Sequence, residues 1–163
     1  MSLLSSPTPP PTSPDARLAQ LTSWLGTLGL VEADSRRPAS SDASFRRYFR
    51  LDVLPALQGK LGQTLIAMDA PPERENVPAF IHVAGLLLEA GVNVPAIVAR
   101  DVANGFLLLS DLGTTTYLAR LDADNAGFMY SDALDALIKF QLTSAPGVLP
   151  DFDRAFVLRE MNL

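Results

Sequence analysis

Ser40-Ser41-Asp42-Ala43-Ser44-Phe45-Arg46-Arg47-Tyr48-Phe49-Arg50-Leu51 is the stretch around which the chain is organised. Small and turn-forming residues come first, with no bulky side chain to block a close backbone approach. An alternating pattern follows. Phe45, Arg47, Phe49 and Leu51 fall on one face of a strand; Arg46, Tyr48 and Arg50 fall on the other. Arg47 stands in an otherwise apolar row, so its guanidinium must reach a carboxylate or a phosphate, or snorkel out of the sheet. A polar turn followed by a strand arginine suits a polyphosphate cover. On the stretch alone, a surface hairpin with solvated arginines is the commoner reading of such a turn.

The composition narrows the chemistry. Of 163 residues, 48% are hydrophobic, enough for a real core in one domain or one lobe. The net charge of −5 argues against nucleic acid as a partner. There is no cysteine, and His82 is the only histidine, which excludes thiolate or histidine-cluster metal sites and a thiol nucleophile. Lys60 and Lys139 are the only lysines, so arginine carries the positive charge. Residues 1–14, rich in Pro, Ser and Thr, read as a disordered leader rather than a signal peptide. No later run is apolar enough to span a bilayer. The expectation is a soluble cytoplasmic protein with no membrane partner.

Along the chain, Asp15 is expected to cap a helix over 15–30, with Leu18, Leu21, Leu25 and Leu28 as its stripe. After the strand at Phe45–Val53, Thr64-Leu65-Ile66-Ala67-Met68 reads as a buried strand, stopped by Pro71-Pro72. The two suggest an antiparallel pair. A helix with Phe80, Val83, Ala84, Leu87 and Leu88 as its stripe follows and ends at Gly91. Gly105-Phe106-Leu107-Leu108-Leu109-Ser110 is an apolar strand after a turn at Ala103-Asn104-Gly105, and Asp111-Leu112-Gly113 ends it. Asp122 or Asp124 caps the longest helical pattern, whose stripe includes Tyr130, Leu134, Leu137 and Ile138. The last amphipathic pattern breaks off at Leu163 without a cap, which reads as a truncation. The fold class is α+β: a small antiparallel sheet with a packed helix, followed by the start of a helical portion.

Three segments carry a family resemblance. They are the turn and strand from Ser41 to Leu51, Glu89-Ala90-Gly91-Val92-Asn93-Val94-Pro95-Ala96-Ile97, and Gly105 to Gly113. In this order they resemble the amino-terminal lobe of the aminoglycoside-phosphotransferase and choline-kinase-like family, relatives of protein kinases. Within the family, Asp42-Ala43-Ser44-Phe45-Arg46-Arg47-Tyr48 and Met68-Asp69-Ala70-Pro71-Pro72-Glu73 are most similar to the bacterial kinases of cell-wall amino sugars. The resemblance implies a protein-kinase-like nucleotide-binding lobe over 31–112 and the first helices of a truncated carboxy-terminal lobe over 113–163. It implies ATP and Mg²⁺ as cofactors and a small sugar as acceptor. Ser41, Asp42, Ala43, Ser44, Phe45, Arg46 and Arg47 would cover the phosphates. Ser110, Asp111 and Leu112 would offer backbone groups to adenine, with Phe45, Ile66 or Leu109 against the ring.

Two departures qualify it. The family's third strand usually carries a basic residue paired with a helix glutamate; here that strand ends Ala67-Met68-Asp69, and the expected glutamate falls near Phe80. Arg46 or Arg47 would supply the missing charge, Arg47 being favoured by its face, with Glu73, Glu75 or Asp69 as anchor. The family's His-Gly-Asp catalytic loop is also absent, since the one histidine precedes Val83. These residues thus hold no catalytic base and no metal ligands, which belong to a second lobe. Alone they are expected to transfer no phosphate and, with an apolar underside bared, to self-associate. The competing expectations are a non-catalytic interaction module on the same scaffold, or a kinase for choline or an aminoglycoside.

Overall fold

The computed structural model describes residues 14–41 and 44–161. The predicted leader (Pro14 excepted), Asp42, Ala43 and the chain end at Leu163 lie outside the described residues. The helices and strands follow the order α1 (Pro14–Leu28), β1 (Arg37–Ser41), β2 (Arg47–Asp52), α2 (Gln58–Leu61), β3 (Thr64–Asp69), α3 (Val77–Glu89), β4 (Ile97–Asp101), β5 (Phe106–Ser110), α4 (Tyr117–Arg120), α5 (Ala126–Thr143) and α6 (Arg154–Met161). The strands form one antiparallel sheet in the order β1-β2-β3-β5-β4.

β3 can be the middle strand because its run Leu65-Ile66-Ala67-Met68 is apolar on both faces. Its register sets Tyr48 opposite Met68 and Phe49 opposite Ala67 on one side, and Ile66 opposite Leu109 and Ala67 opposite Leu108 on the other. The two-residue period then sorts the side chains. Leu51, Leu65, Ala67, Phe106 and Leu108 share one face, where Leu21 and Leu25 of α1 pack on them with no residual exposure. Trp24 leans on Phe106, ring centroids 5.8 Å apart. Met68, Leu107 and Leu109 share the other face, covered by Val77, Phe80 and Ile81 of α3. Both faces of the sheet are therefore roofed by a helix.

Two compact units divide the chain. One runs to His82 and takes in Pro95–Gly113; the other comprises Val83–Val94 and the chain from Thr114 onwards, so the division falls within α3. The first unit holds the sheet. Its predicted elements are present, with corrections. β2 begins at Arg47, not Phe45, because the Phe45 N–H donates to the Glu75 side chain (3.1 Å) instead of joining the ladder. Asn76 caps α3 through the Ala79 N–H at 2.9 Å.

In the second unit α5 starts at Ala126, and the predicted cap Asp122 accepts the N–H groups of Asp124 and Asn125 just ahead of it. The predicted apolar stripes are not buried there. Leu88 of α3 is 65% exposed, and Tyr130, Leu134, Leu137 and Ile138 of α5 are all about half exposed or more. Nothing among the described residues covers them.

Candidate functional site

In the first unit, β5 runs out of the sheet at Ser110, and the 110–113 backbone forms one wall of a cavity of about 380 Å³. Tyr48, Ile66, Phe80 and Leu109 supply apolar walls, and Arg50 is a polar one. All four apolar residues come from the sheet face roofed by α3, or from α3 itself, which is why the cavity has that character. A mostly apolar cavity bordered by the end of a strand suits a heterocyclic base. The second unit has an apolar cavity of about 550 Å³ that includes Leu86, Phe140, Val148 and Phe152. No cation lines it, so it offers nothing to a phosphate.

The backbone at this wall is held by one carboxylate. Asp111 accepts from Arg50 Nε at 2.5 Å and Nη2 at 3.0 Å, from Thr64 Oγ1 at 2.6 Å, and from the Gly113 N–H at 2.8 Å. Arg50 foremost, then Thr64 and Gly113, hold this carboxyl far below the usual carboxylate range, against the upward push of burial. A depressed folded pKa contributes stability that is present in full above the unfolded value of about 4 and fades as pH falls below it. Asp111→Asn is therefore expected to cost about 2 kcal/mol at neutral pH. In urea titrations its deficit against wild type should shrink steadily below pH ~4. A deficit constant down to strong acid would mean the charge is immaterial.

The adjacent arginines at the start of β2 go to opposite sides of the sheet. Arg46 lies over the Phe80 ring at 5.6 Å, on the α3 side, and its Nε donates to Glu75 Oε2 at 2.8 Å. Glu75 also holds the Phe45 N–H, and Arg74 lies 4.3 Å over the Phe45 ring, so the loop before α3 grips the hairpin tip. Arg47 lies on the α1 side, 5.9 Å from the Phe49 ring centroid, and binds Asp69 Oδ2 through Nε (2.9 Å) and Nη2. Asp69 is fully buried; its Oδ1 accepts from Arg17 Nε (3.0 Å) and Nη2.

Of the residues expected to cover phosphates, Ser41 pairs with Arg47 at the end of β1, and Ser44 is exposed with its Oγ accepting the Arg46 N–H at 3.2 Å. Phe45 is 57% exposed and does not line the cavity, whereas Ile66 and Leu109 do. Ser110, Asp111 and Leu112 lie together on the cavity wall. Arg47, favoured from sequence, is on the sheet face away from the cavity and committed to Asp69. Sequence reading passed over Arg50 and Thr64. The available signal was the second amphipathic helix, which already required both strand faces to be covered. Among the described residues no three metal-ligating side chains converge. They do not fit a Mg²⁺ site. No described helix is long and apolar enough to cross a membrane.

Fold and site together define a kinase-like amino-terminal lobe, and the chain belongs to the phosphotransferase enzyme family, whose pattern matches residues 35–162. It is 49% identical over 161 residues to the N-acetylmuramate/N-acetylglucosamine kinase of Pseudomonas aeruginosa, covering 93% of this chain and 46% of that protein. It is 47% identical over 159 residues to the protein of the same name from Pseudomonas putida, covering 91% and 45%. A Neisseria meningitidis protein of that name is 34% identical over 151 residues, covering 90% and 43%. The chain thus spans less than half the length of these relatives.

Proposed function

We propose that these residues form the ATP-binding part of a cytoplasmic amino-sugar kinase. Its acceptor would be N-acetylmuramate or N-acetylglucosamine at the anomeric hydroxyl, as in recycling of cell-wall sugars. The relatives' names support the acceptor. One observation carries the nucleotide half: Arg46 sits on the α3 side of the sheet beside Phe80, a wall of the cavity that Ser110–Gly113 closes. In this reading the base lies on the sheet face that Ile66 and Leu109 share, against residues 110–112. Ser44 and Phe45 lie over the phosphates, and Arg46 meets their charge. The Arg46–Glu75 pair then takes the part of the family's strand lysine and helix glutamate, since β3 ends Ala67-Met68-Asp69 without a lysine and the expected glutamate falls near Phe80. Arg47 is structural. Transfer itself is mostly positioning and charge neutralisation. This polypeptide supplies a lid, a cation and a base pocket; the catalytic base and metal ligands are expected from a second lobe.

The test is calorimetric titration of the 163-residue chain with ATP. Saturable binding is expected. Arg46→Ala should weaken it about 10- to 100-fold, the worth of one charge-assisted phosphate contact. Arg47→Ala should lower stability while leaving the affinity of the folded fraction within about threefold. No saturable binding, or an affinity that follows Arg47 instead of Arg46, would overturn the reading.

A further inference from the structure

We infer that Arg50, Thr64 and Asp111 form a latch that positions the nucleobase-binding backbone, making them positioning residues for base recognition. This rests on the nucleotide reading above. Two donors at this wall are already taken. The Ser110 N–H bonds the Ala96 carbonyl at 2.9 Å, while Ser110 Oγ accepts the Ala96 N–H at 2.8 Å. The Gly113 N–H bonds Asp111 Oδ1. Between them, neither the Asp111 N–H nor the Leu112 N–H has a hydrogen-bond partner among the described residues. The latch and the Ala96 edge therefore tie the two ends of the segment and leave the donors of Asp111 and Leu112, both cavity-lining residues, untaken. Arg50 Nη2 also reaches the Gly113 carbonyl at 3.3 Å, fixing the far end of the segment.

Stability alone does not account for this arrangement. The Asp111 and Arg50 side chains are 7% and 17% exposed, and an ion pair so withdrawn from water returns little net stability compared with apolar residues of the same volume. The strands it ties are already paired through the β2–β3 and β3–β5 ladders. What it adds is direction. An aspartate side chain bonding the N–H two residues on imposes a defined turn on a segment that would otherwise sample many. Preorganised donors gain affinity by avoiding that ordering cost on binding.

The discriminating quantity is the ratio of affinities for ATP and for inorganic triphosphate, measured by titration of the 163-residue chain. The triphosphate lacks the base, so a general loss of folded protein lowers both affinities and leaves the ratio alone. Wild type should favour ATP. Arg50→Lys and Asp111→Asn should each cut the preference about tenfold, and Thr64→Val about threefold, following the hydrogen bonds removed. Arg46→Ala should weaken both ligands and leave the preference intact. Thr64→Val removes one hydroxyl and decides the matter if the charge variants do not fold. An unchanged ratio in folded latch variants overturns the latch and leaves the nucleotide reading standing. Equal wild-type affinity for ATP and triphosphate also overturns the latch. If wild type binds neither ligand, the nucleotide reading fails and the latch falls with it.

Discussion

Asp69→Asn will destabilise the chain by about 3–5 kcal/mol, the cost of breaking a buried ion pair from one side. Asp69 has no exposure, and Arg17, which binds its Oδ1, is 6% exposed. Arg17 also donates to the Asn104 carbonyl at 2.9 Å and lies 5.1 Å from the Phe106 ring centroid, so it cannot swing out to water without abandoning both contacts. An asparagine offers a single oxygen and turns an N–H₂ towards one of the two guanidiniums. Arg47, 31% exposed, can escape; Arg17 cannot. Urea unfolding of the single variant should show the full loss. A triple variant, Arg17→Met, Asp69→Leu and Arg47→Met, should lose less than Asp69→Asn alone, since it strands no charge. A single-variant loss below about 1 kcal/mol would mean that water reaches Arg17 after all. The affinity of the folded fraction for ATP should not change, because this cluster sits on the α1 side of the sheet.

The same residues show what a sequence can and cannot disclose. β3, β5 and their stops were legible because apolar runs bounded by prolines or a glycine turn have few alternatives. Asp69 was legible only as one of three anchors for an arginine. Its burial was not, since the residue that closes the cluster, Arg17, lies 52 positions earlier on another element. The face argument at Arg47 asked the right question and met a carboxylate where a phosphate was also open. It left the opposite row, a mixed face, without further question. Arg46 and Arg50 stand in that row, and α3 roofs it. Asp111 was expected to act through its backbone; its side chain turns out to organise that backbone. The α5 stripe was read from a true period, but a period cannot say what covers it, and among the described residues nothing does.

Gly105→Ala should cost about 3–5 kcal/mol, combining a strained backbone with a clash that has no soft side. Gly105 has φ +75°, and a Cβ added there would come 1.9 Å from the Ala70 carbonyl oxygen and 3.2 Å from Pro72 Cδ. Neither neighbour can retreat cheaply. Ala70 is fully buried, its N–H bonds the Gly105 carbonyl at 2.9 Å, and a proline ring follows. Gly29→Ala separates the two contributions. Gly29 has φ +61°, and a Cβ there would meet nothing within 4 Å, so that variant should lose only about 1 kcal/mol, the left-handed penalty alone. The difference between the two variants in thermal unfolding then measures the close approach at the end of β3. Since Asn104 next door holds Arg17, moving this turn also loosens the Asp69 cluster. The losses from Gly105→Ala and Arg17→Met should accordingly sum to more than the double variant shows, by about 0.5–3 kcal/mol. Strict additivity, or a Gly105→Ala protein as stable as Gly29→Ala, would show that the β4–β5 turn does not bear on β3.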